Sequence, residues 1–597
     1  MPKKKIPISY TARDFNSIKD SLVDHARRYY PDTYRDFSEA SFGSLLLDSV
    51  AYVGDVLSYY LDYQVNESFL DTAVEKQNVI SLARSMGYKY SESITSYGVC
   101  EFYVSVPANI RTGAPDEDYI PILKQGSEFS SQDGGRYTLI EDVNFSSVDN
   151  PVIVTSVDAD SGAPTEFAIR AEGQVKSGFV EQITVNVGPF ERFKSIVLDV
   201  ENASEIVDVT DAEGNRYYEV DHLSQDVVYV DLSNRNSDSR SVKNIIKPLS
   251  VPRRYVASFF QNGVELQFGQ GSDENITSGS YEDPSKVVVN QFGSQYISDN
   301  EFDPANLTST TKMGVSPSNT TLLVKVRRDD RDVTNAAVGT VTEVTNPNLV
   351  FGNETLLVAS KRQRVVSSIE VYNPQQIIGD LEIPDTNEII IRAKNQFASQ
   401  NRAVTMQDYK AMVYSMPGKF GGIKRCRVDV DKDSFKRNIN LYVTTEDLNG
   451  NLMDCNQTLK HNLKTWVEHY RMMADSFDVL DARIVNIGIN YQLITDGSHT
   501  SSEAIAICNR EVEEYFRIHP EIGEALHLND IYKLLGNLEF VVDVTDVGVT
   551  NLFGDQYSTL AYEIRENLSM DGRTLTLPFD HIYEVKFPST DIQGTVL

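Results

Sequence analysis

The N-terminal part of the chain, from about residue 10 to residue 90, has the hydrophobic spacing of helices. Apolar residues recur at alternating intervals of four and three, and Ser49 fills the polar position in the series. The members of this apolar stripe are Phe42, Leu46, Val53, Val56, Tyr60 and Tyr63. Leu45, Val50, Leu57 and Leu61 widen the stripe. We therefore expect a helix that is buried among other helices, from its own chain or from a partner.

A second helix is predicted immediately downstream. Thr72 and Glu75 have the spacing of a capping box, and the apolar positions Val79 and Ile80 follow. The helix should stop near Gly87, because glycine commonly ends a helix.

Strands dominate the pattern from about residue 95 to residue 385. Cys100, Phe102, Val104 and Val106 alternate with more polar residues, and glycine-containing turns fall at 133–135 and 213–215. The stretch 272–318 is rich in Ser, Asn, Asp and Gly, which predicts a long loop. From about residue 385 to residue 550 strands and helices alternate, which favours split βαβ units.

These patterns predict an α+β, multidomain protein with a helical head, a β-rich middle and ferredoxin-like C-terminal units. The expected divisions are an N-terminal helical domain over 1–92, β-rich central domains over 93–384 with a long loop near 272–318, a first C-terminal α/β unit over 385–480, a second split βαβ unit over 481–550, and a C-terminal β tail over 551–597.

Charge and length narrow the classes of function. The 597 residues include 86 acidic and 55 basic ones, for a formal charge of −31, and such a surface repels a phosphate backbone. The most apolar stretch, 45–61, is interrupted by Asp48 and Asp55 and is too short to cross a bilayer. We expect neither nucleic acid nor membrane as a partner.

Motifs of catalysis and metal binding are missing from the sequence. The eight histidines form no HExxH or HxH pair, and there is no GxSxG elbow. The four cysteines lie far apart, which argues against a disulfide framework or a zinc site. We therefore expect no enzyme activity, no catalytic residue, no metal ligand and no cofactor.

Three short segments invite a functional interpretation, but a structural one is favoured for each. Phe268-Gly-Gln-Gly271 lacks the remainder of a phosphate loop and predicts a tight turn between strands. Residues 429–433 begin like a calcium loop, but Ser434 and Asn440 replace its Gly and Glu, so an acidic hairpin is favoured. The basic run 361–364 is interpreted as a solvated strand edge, with an acidic partner surface as the alternative.

A helix-turn-helix connection is predicted around residue 400. The first helix should end near Ser399, and Thr405 should cap the next one. Asp408 follows three residues later and faces the exposed amide groups, while Tyr409 and Val413 supply the buried side.

The same segment resembles a motif of the J-like baseplate proteins of contractile-tailed phages. In that family an Arg-Ala-Val-Thr-x-x-Asp-Tyr segment follows an Asn-Pro…Gly…Glu element, although only one glycine follows Asn-Pro here. The matching residues in this chain are Asn373, Pro374, Gly379, Glu382, Arg402, Val404, Thr405, Asp408 and Tyr409. Phe268-Gly-Gln-Gly271, the helical segments over 41–87 and the opening residues 10–15 are also similar to the family, and most closely to the larger wedge subunit of T-even-like phages.

The resemblance implies a structural subunit of a virion tail baseplate, assembled in the cytoplasm of the host bacterium. In the family, two copies join a smaller wedge protein through their N-terminal helices, which makes the apolar stripe the expected bundle interface. The C-terminal domains of neighbouring wedges close a six-fold inner ring, which links host-binding signals to sheath contraction. The implied partners are a second copy of the chain, the smaller wedge protein, neighbouring wedges, and other wedge and sheath-initiating proteins.

Several alternatives stay open. The stripe could be buried within the chain's own helical head instead of against a partner, although some 80 residues form a small core. The chain could also be a receptor-binding module or a cell-wall hydrolase of the tail. Finally, a contractile injection system could use the same subunit outside a phage.

Overall fold

A computed structural model describes most of the chain. The described ranges are 14–30, 41–91, 93–109, 111–148, 150–159, 162–233, 244–260, 263–272, 313–329, 334–352, 357–379, 384–431, 438–447, 449–554 and 556–597. Glu382 of the family motif, residues 10–13 and residues 273–312 of the expected long loop lie outside the described residues.

The described residues form helices and strands in an order that confirms the expected α+β, multidomain class. The helices are α1 (Phe15–Tyr29), α2 (Phe42–Asn66), α3 (Lys76–Ser85), α4 (Ala359–Ser367), α5 (Thr386–Ser399), α6 (Met406–Tyr414), α7 (Gln457–Glu468), α8 (Ser501–Phe516), α9 (Leu528–Gly536), α10 (Ile564–Asn567) and α11 (Pro588–Asp591). The strands are β1 (Tyr97–Pro107), β2 (Ile122–Leu123), β3 (Glu128–Ser131), β4 (Arg136–Leu139), β5 (Val143–Asn144), β6 (Val152–Val157), β7 (Pro164–Ser177), β8 (Phe179–Val187), β9 (Ser195–Leu198), β10 (Ala203–Asp211), β11 (Arg216–Glu219), β12 (Val227–Ser233), β13 (Asn244–Ser250), β14 (Arg254–Phe260), β15 (Gly263–Phe268), β16 (Thr320–Arg328), β17 (Val341–Asn346), β18 (Leu349–Val350), β19 (Glu370–Tyr372), β20 (Arg425–Val430), β21 (Asn438–Glu446), β22 (Leu452–Met453), β23 (Ser476–Asp481), β24 (Arg483–Thr495), β25 (Leu526–His527), β26 (Val541–Leu552), β27 (Thr574–Leu575), β28 (His581–Glu584) and β29 (Ile592–Val596).

The N-terminal helices belong to one of two compact units, which comprises residues 1–88 and 384–397. Helix α2 begins at Phe42, because the Ser41 hydroxyl accepts the backbone N–H of Ser44 at 3.1 Å and so caps the helix. The unit has few completely or almost completely buried apolar residues, among them Ala51, Val79, Ile80, Ala83, Ile389 and Ala393.

Helix α3 begins at Lys76, so the predicted capping box of Thr72 and Glu75 is wrong. The Thr72 hydroxyl donates instead to the Asn66 carbonyl at 2.7 Å. The carboxylate of Glu67 accepts the backbone N–H of Glu75 at 3.3 Å, and so supplies the capping acceptor from outside the helix.

Two large sheets make up the β-rich middle of the second unit, which comprises residues 89–383 and 398–597. The strand order of the first is β17-β3-β4-β7-β1-β19, with β6 added on β7, and that of the second is β8-β16-β10-β11-β14-β15-β9. Strand β1 pairs with β7 along its whole length. The predicted alternation is confirmed, since Cys100, Phe102, Val104 and Val106 are all buried in the first core.

The Phe268-Gly-Gln-Gly271 segment ends β15 and does not close a tight turn between strands. A methyl group on Gly269 would lie 2.2 Å from the carbonyl oxygen of Gly314, and Gly271 N–H donates to the same carbonyl at 3.0 Å. The glycines therefore allow two backbone segments to approach closely.

The basic run 361–364 lies in α4, so the expected strand edge is wrong. The Arg364 guanidinium is 3.2 Å from the Glu166 carboxylate, and Lys361 Nζ lies 5.7 Å from the centre of the Tyr119 ring. One helical face is anchored in the first core by the buried Val365. These charges therefore have partners within the chain.

The C-terminal region contains two α/β units with separate cores. In the first, β21 pairs directly with β23 in parallel and α7 connects them, so the βαβ unit is direct and the split arrangement predicted here is wrong. In the second, β24 pairs antiparallel with β26, so the split βαβ unit predicted over 481–550 is wrong as well, and β28 and β29 run parallel to β24. The stretch expected to form a β tail thus contributes two strands to the same sheet.

Candidate interaction site

Helix α2 turns its small and charged side toward α1. Ala51 is completely buried, and a methyl group on Gly54 would lie 3.3 Å from Ile18 Cδ1 of α1. Lys19 of α1 forms an ion pair with Asp48 at 2.8 Å. The close approach of the two helices thus uses the least apolar side of α2.

The apolar stripe lies on the opposite side of α2. Val53 follows the buried Ser44 by nine residues, which is two and a half helical turns and therefore a rotation of about 180°. Phe42 is 74% exposed, Leu46 53%, Val53 54%, Tyr60 63% and Tyr63 37%, while Val56 is half-buried. Other exposed apolar residues flank the stripe, namely Leu45, Val50, Tyr52, Leu57, Tyr59 and Leu61.

Two hydroxyl groups within this surface, those of Ser49 and Tyr63, have hydrogen-bond partners in the chain. The Ser49 hydroxyl donates to the Leu45 carbonyl at 2.8 Å, so burying Ser49 against another helix would leave no donor unsatisfied. Tyr63 Oη donates to the Glu75 carboxylate at 3.1 Å, a bond that raises the pKa of Tyr63. The ring of Tyr63 also stacks on that of Tyr59, with centres 6.5 Å apart. Covering these two side chains with a partner helix would therefore leave neither hydroxyl without a hydrogen-bond partner.

Exposure on this scale is unusual for a protein that works alone. Full burial of one large apolar side chain is worth about 1.5–3 kcal/mol, and apolar patches of this extent mark interaction sites. Sequence reasoning found the stripe but not Tyr52 and Tyr59, which lie outside its four-three spacing. The stripe is therefore the candidate interaction site.

The Asn-Pro element of the family motif has a structural position. The Asn373 side chain is completely buried; its Nδ2 donates to the carbonyls of Ala337 (2.7 Å) and Gln375 (3.0 Å), and its Oδ1 accepts the N–H of Val341 (3.0 Å). Pro374 beside it is exposed. A buried amide with three such bonds holds the chain around it in one conformation.

Gly379 is buried a few residues further on, with φ +137°. A methyl group at Gly379 would lie 2.9 Å from the Thr95 carbonyl oxygen, and Gly422 N–H donates to the Gly379 carbonyl at 2.9 Å. The glycine is therefore required by both its backbone conformation and the close approach of other backbone.

The second half of the motif is a capping box, as predicted. The Thr405 hydroxyl accepts the backbone N–H of Asp408 at 3.2 Å, and the Asp408 carboxylate accepts that of Thr405 at 2.8 Å. Partial burial works against the charged carboxylate, but the N–H groups of Thr405 and Val404 hold the pKa of Asp408 below its usual value. Tyr409 is completely buried, while Arg402 and Val404 are exposed.

A catalytic or metal site does not emerge from the described part of the chain. There, no three His, Cys, Asp or Glu side chains are grouped closely enough to hold a metal ion. Burial raises the pKa of the Cys100 and Cys426 thiols to about 12, which disfavours a reactive thiolate. Among the same residues, no helix is both long and apolar enough to cross a membrane.

Comparison with known proteins connects the helical head to baseplates. Residues 14–85 match the family model described as "Bacteriophage baseplate protein, N-terminal domain", a segment that contains the whole stripe. No curated protein matches the chain. Two solved structures show distant likeness: the anti-feeding prophage (AFP) baseplate (8% identity, 95% of this chain and 90% of that chain, TM-score 0.29) and the type VI secretion system TssK-TssF-TssG baseplate subcomplex (9% identity, 74% and 96%, TM-score 0.26).

These TM-scores are too low to establish a shared fold, so the family match is what carries weight. It relates residues 14–85 of this chain to bacteriophage baseplate proteins. The stripe, our candidate interaction site, then lies within the segment that resembles a baseplate domain.

Proposed function

We propose that this chain is a wedge subunit of a contractile-tail baseplate, the larger of two wedge proteins, without enzyme activity. The observation that carries the proposal is the exposed apolar stripe of α2, inside the segment that matches the baseplate N-terminal domain. Two copies of the chain and a smaller wedge protein bury their stripes together in one helical bundle.

The width of the apolar surface favours more than one partner helix. Tyr59 and Leu61 are 68% and 66% exposed. These two residues are two positions apart, so their side chains are separated by a rotation of about 200° around the helix axis. A two-stranded coiled coil covers only a narrow seam of a and d positions. A single partner helix would therefore leave one of these flanks in water.

The remaining parts of the proposal concern the assembled baseplate. The C-terminal α/β units meet those of neighbouring wedges and close a six-fold ring, to which other wedge and sheath-initiating proteins bind. The ring links host binding to sheath contraction. The subunit resides in the virion tail and assembles in the cytoplasm of the host bacterium.

The test is size-exclusion chromatography with light scattering, on the chain alone and mixed with the smaller wedge protein from the same genome. We expect a complex with two copies of this chain per partner. The double variant L46D/V53D places two carboxylates in the stripe and should abolish the complex, since buried unpaired charges are costly. Val338→Asp, at an exposed valine of the β-rich region, is the control and should bind normally.

Two results would contradict the proposal. One is a lone monomer that ignores the partner, and the other is a complex that forms equally well with L46D/V53D. A cell-wall degradation assay would then test the hydrolase alternative, and binding to host cells the receptor-binding one.

A further inference from the structure

Strand β6 forms an exposed edge of the first large sheet. Among the described strands, it pairs only with β7. All six of its residues are exposed, and four of them are apolar and β-branched: Val152 (48%), Ile153 (67%), Val154 (44%) and Val157 (57%). A strand of an antiparallel sheet commonly has one apolar side against a core, whereas β6 has apolar residues on both sides. Within the described part of the chain, neither side of β6 is covered.

The backbone of β6 offers hydrogen-bonding groups along its outer edge. Arg170 N–H donates to the Pro151 carbonyl at 3.1 Å, so these two residues form a hydrogen-bonded pair of the antiparallel ladder with β7. Bonded and non-bonded pairs alternate along such a ladder, so the N–H and C=O groups of Val152 and Val154 point away from β7. Pro151 belongs to the inner set, so its missing N–H removes no donor from the outer edge.

The usual protection of an edge strand is missing from β6. Natural edges commonly carry charged side chains, proline or a bulge, which prevent pairing with another chain. Residues 152–157 include no charged residue, in a chain of charge −31. The register of β6 with β7 is irregular only beyond Val154, so the segment 152–154 is a regular strand. This segment can therefore accept another strand, and its neutrality removes local repulsion between two copies of an acidic chain.

A second copy of β6 is complementary to this edge. When two copies align antiparallel about a two-fold axis at Ile153, Val152 of each copy lies opposite Val154 of the other, and their outward N–H and C=O groups can bond. Ile153 then lies opposite the same residue of the second copy. All three cross-strand pairs join β-branched apolar residues, a combination that stabilises paired strands. The arrangement uses the same edge in both copies, so it closes at two chains and leaves neither β6 edge open.

We propose that β6 is a self-pairing edge, which joins two copies of this chain through antiparallel β6 strands centred on Ile153. This contact goes beyond the proposed function, in which copies meet through the apolar stripe and the C-terminal units. It also does not depend on that function, because it is formed by the β-rich region alone.

Disulfide cross-linking in the full chain tests the register. Opposed residues of a non-bonded antiparallel pair have Cα atoms about 4.5 Å apart, within the range of about 4.4–6.8 Å that a disulfide spans. Ile153→Cys should therefore form a disulfide-linked dimer on mild oxidation with copper phenanthroline. Val197→Cys is the matched control, because Val197 is 57% exposed on β9, the edge strand of the second sheet, and it should cross-link far more slowly. The four native cysteines are buried and do not compete.

Sedimentation velocity measures the association itself, in the full chain carrying L46D/V53D to remove association through the stripe. From about 1 to about 100 μM, the chain should pass from monomer to dimer without larger species. Adding Ile153→Lys places two ammonium groups opposite each other at the axis and should weaken dimerisation at least about tenfold. Val197→Lys should leave it unchanged.

The outcomes separate this inference from the proposed function. The inference fails if I153C cross-links no faster than V197C, if the chain stays monomeric throughout, or if I153K dimerises as strongly as V197K. Binding to the smaller wedge protein is measured separately, with the stripe intact, and I153K should not alter it. Absence of that binding in the unmodified chain would refute the wedge proposal and leave the pairing of β6 standing.

Discussion

Replacing Glu205 by Gln should destabilise the junction between the two large sheets. The carboxylate of Glu205, on β10, is shared by two buried cations: Lys176 Nζ lies 2.5 Å away and Arg327 Nε 3.3 Å away. Lys176 and Arg327 are only 6% and 7% exposed. Glutamine has nearly the same shape as glutamate but no charge, so both cations would lose this compensation.

The size of the effect follows from burial. Burial lowers the pKa of Lys176, although the charge of Glu205 opposes this shift. Burial alone would raise the pKa of Glu205, but the two cations hold that pKa below its usual value. Removing one partner of a buried ion pair typically costs about 3–5 kcal/mol. Asp329 stays nearby and compensates in part, although it is already held by the hydroxyl of Ser177 at 2.8 Å. We therefore expect a loss of about 3 kcal/mol.

The ion pair of Arg328, the residue next to Arg327, provides the control. Arg328 follows Arg327 on β16 and pairs with Glu181 at 2.6 Å, but these two side chains are 32% and 41% exposed. An exposed ion pair contributes about 0–1 kcal/mol, so Glu181→Gln should change little.

Hydrogen exchange followed by mass spectrometry is the suitable assay, because the chain has several cores and global unfolding is not expected to be two-state. Peptides from β7, β10 and β16 should lose protection in E205Q and keep it in E181Q. Equal protection in the two variants would refute the reasoning that burial decides the worth of these ion pairs.

Three further predictions concern single positions. Gly269→Ala should disrupt the end of β15, because the new methyl group would meet the Gly314 carbonyl at 2.2 Å, and exchange in β15 peptides measures this. Thr405→Ala should cost about 1 kcal/mol by removing the cap of α6, measured by urea denaturation of the C-terminal region through the fluorescence of Trp466. Burial raises the pKa of Glu584 to about 7. The contribution of Glu584 to the free energy of unfolding is therefore complete below pH 4.5 and is lost as the pH rises through 7. Glu584→Gln should remove about 3 kcal/mol of this pH dependence of stability between pH 5 and pH 8.

Each of these has its own check. Gly188→Ala, where a methyl group would meet nothing within 4 Å, should leave protection unchanged, and equal effects of the two glycine variants would contradict the steric explanation. Thr405→Ser should retain the cap, since serine caps as well as threonine. A stability profile of E584Q that parallels the unmodified chain from pH 5 to pH 8 would show that Glu584 is not the titrating group.

Local patterns predicted local structure well in this chain. The spacing of Thr405 and Asp408 was enough to find a capping box, because its acceptors and donors lie within four residues. The same spacing at Thr72 and Glu75 failed, since the Glu67 carboxylate, which no local rule considers, takes the acceptor role. The alternation of buried side chains in β1 could be predicted because it depends only on neighbouring residues. The direct pairing of β21 with β23 depends on the packing of distant segments, which the local pattern does not contain.

The exposure of Met473 could not have been predicted from the sequence. Met473 follows the apolar series of α7 at helical spacing, which suggests a buried position, but the helix ends at Glu468. Arg471, just before Met472 and Met473, forms a bridge with Ala403, which lies some seventy residues earlier in the chain. Periodicity carries no information on contacts of that kind.

The orientation of α2 bears on how the helical head becomes stable. A surface helix normally turns its apolar side to the core, but here Ala51 and Gly54 face α1 while the apolar stripe faces water. The head therefore gains little from the burial of α2 in the isolated chain. Anything that binds the folded head and covers the stripe stabilises it by mass action. Under the proposed wedge function, the folding of this unit is therefore coupled to assembly with its partners.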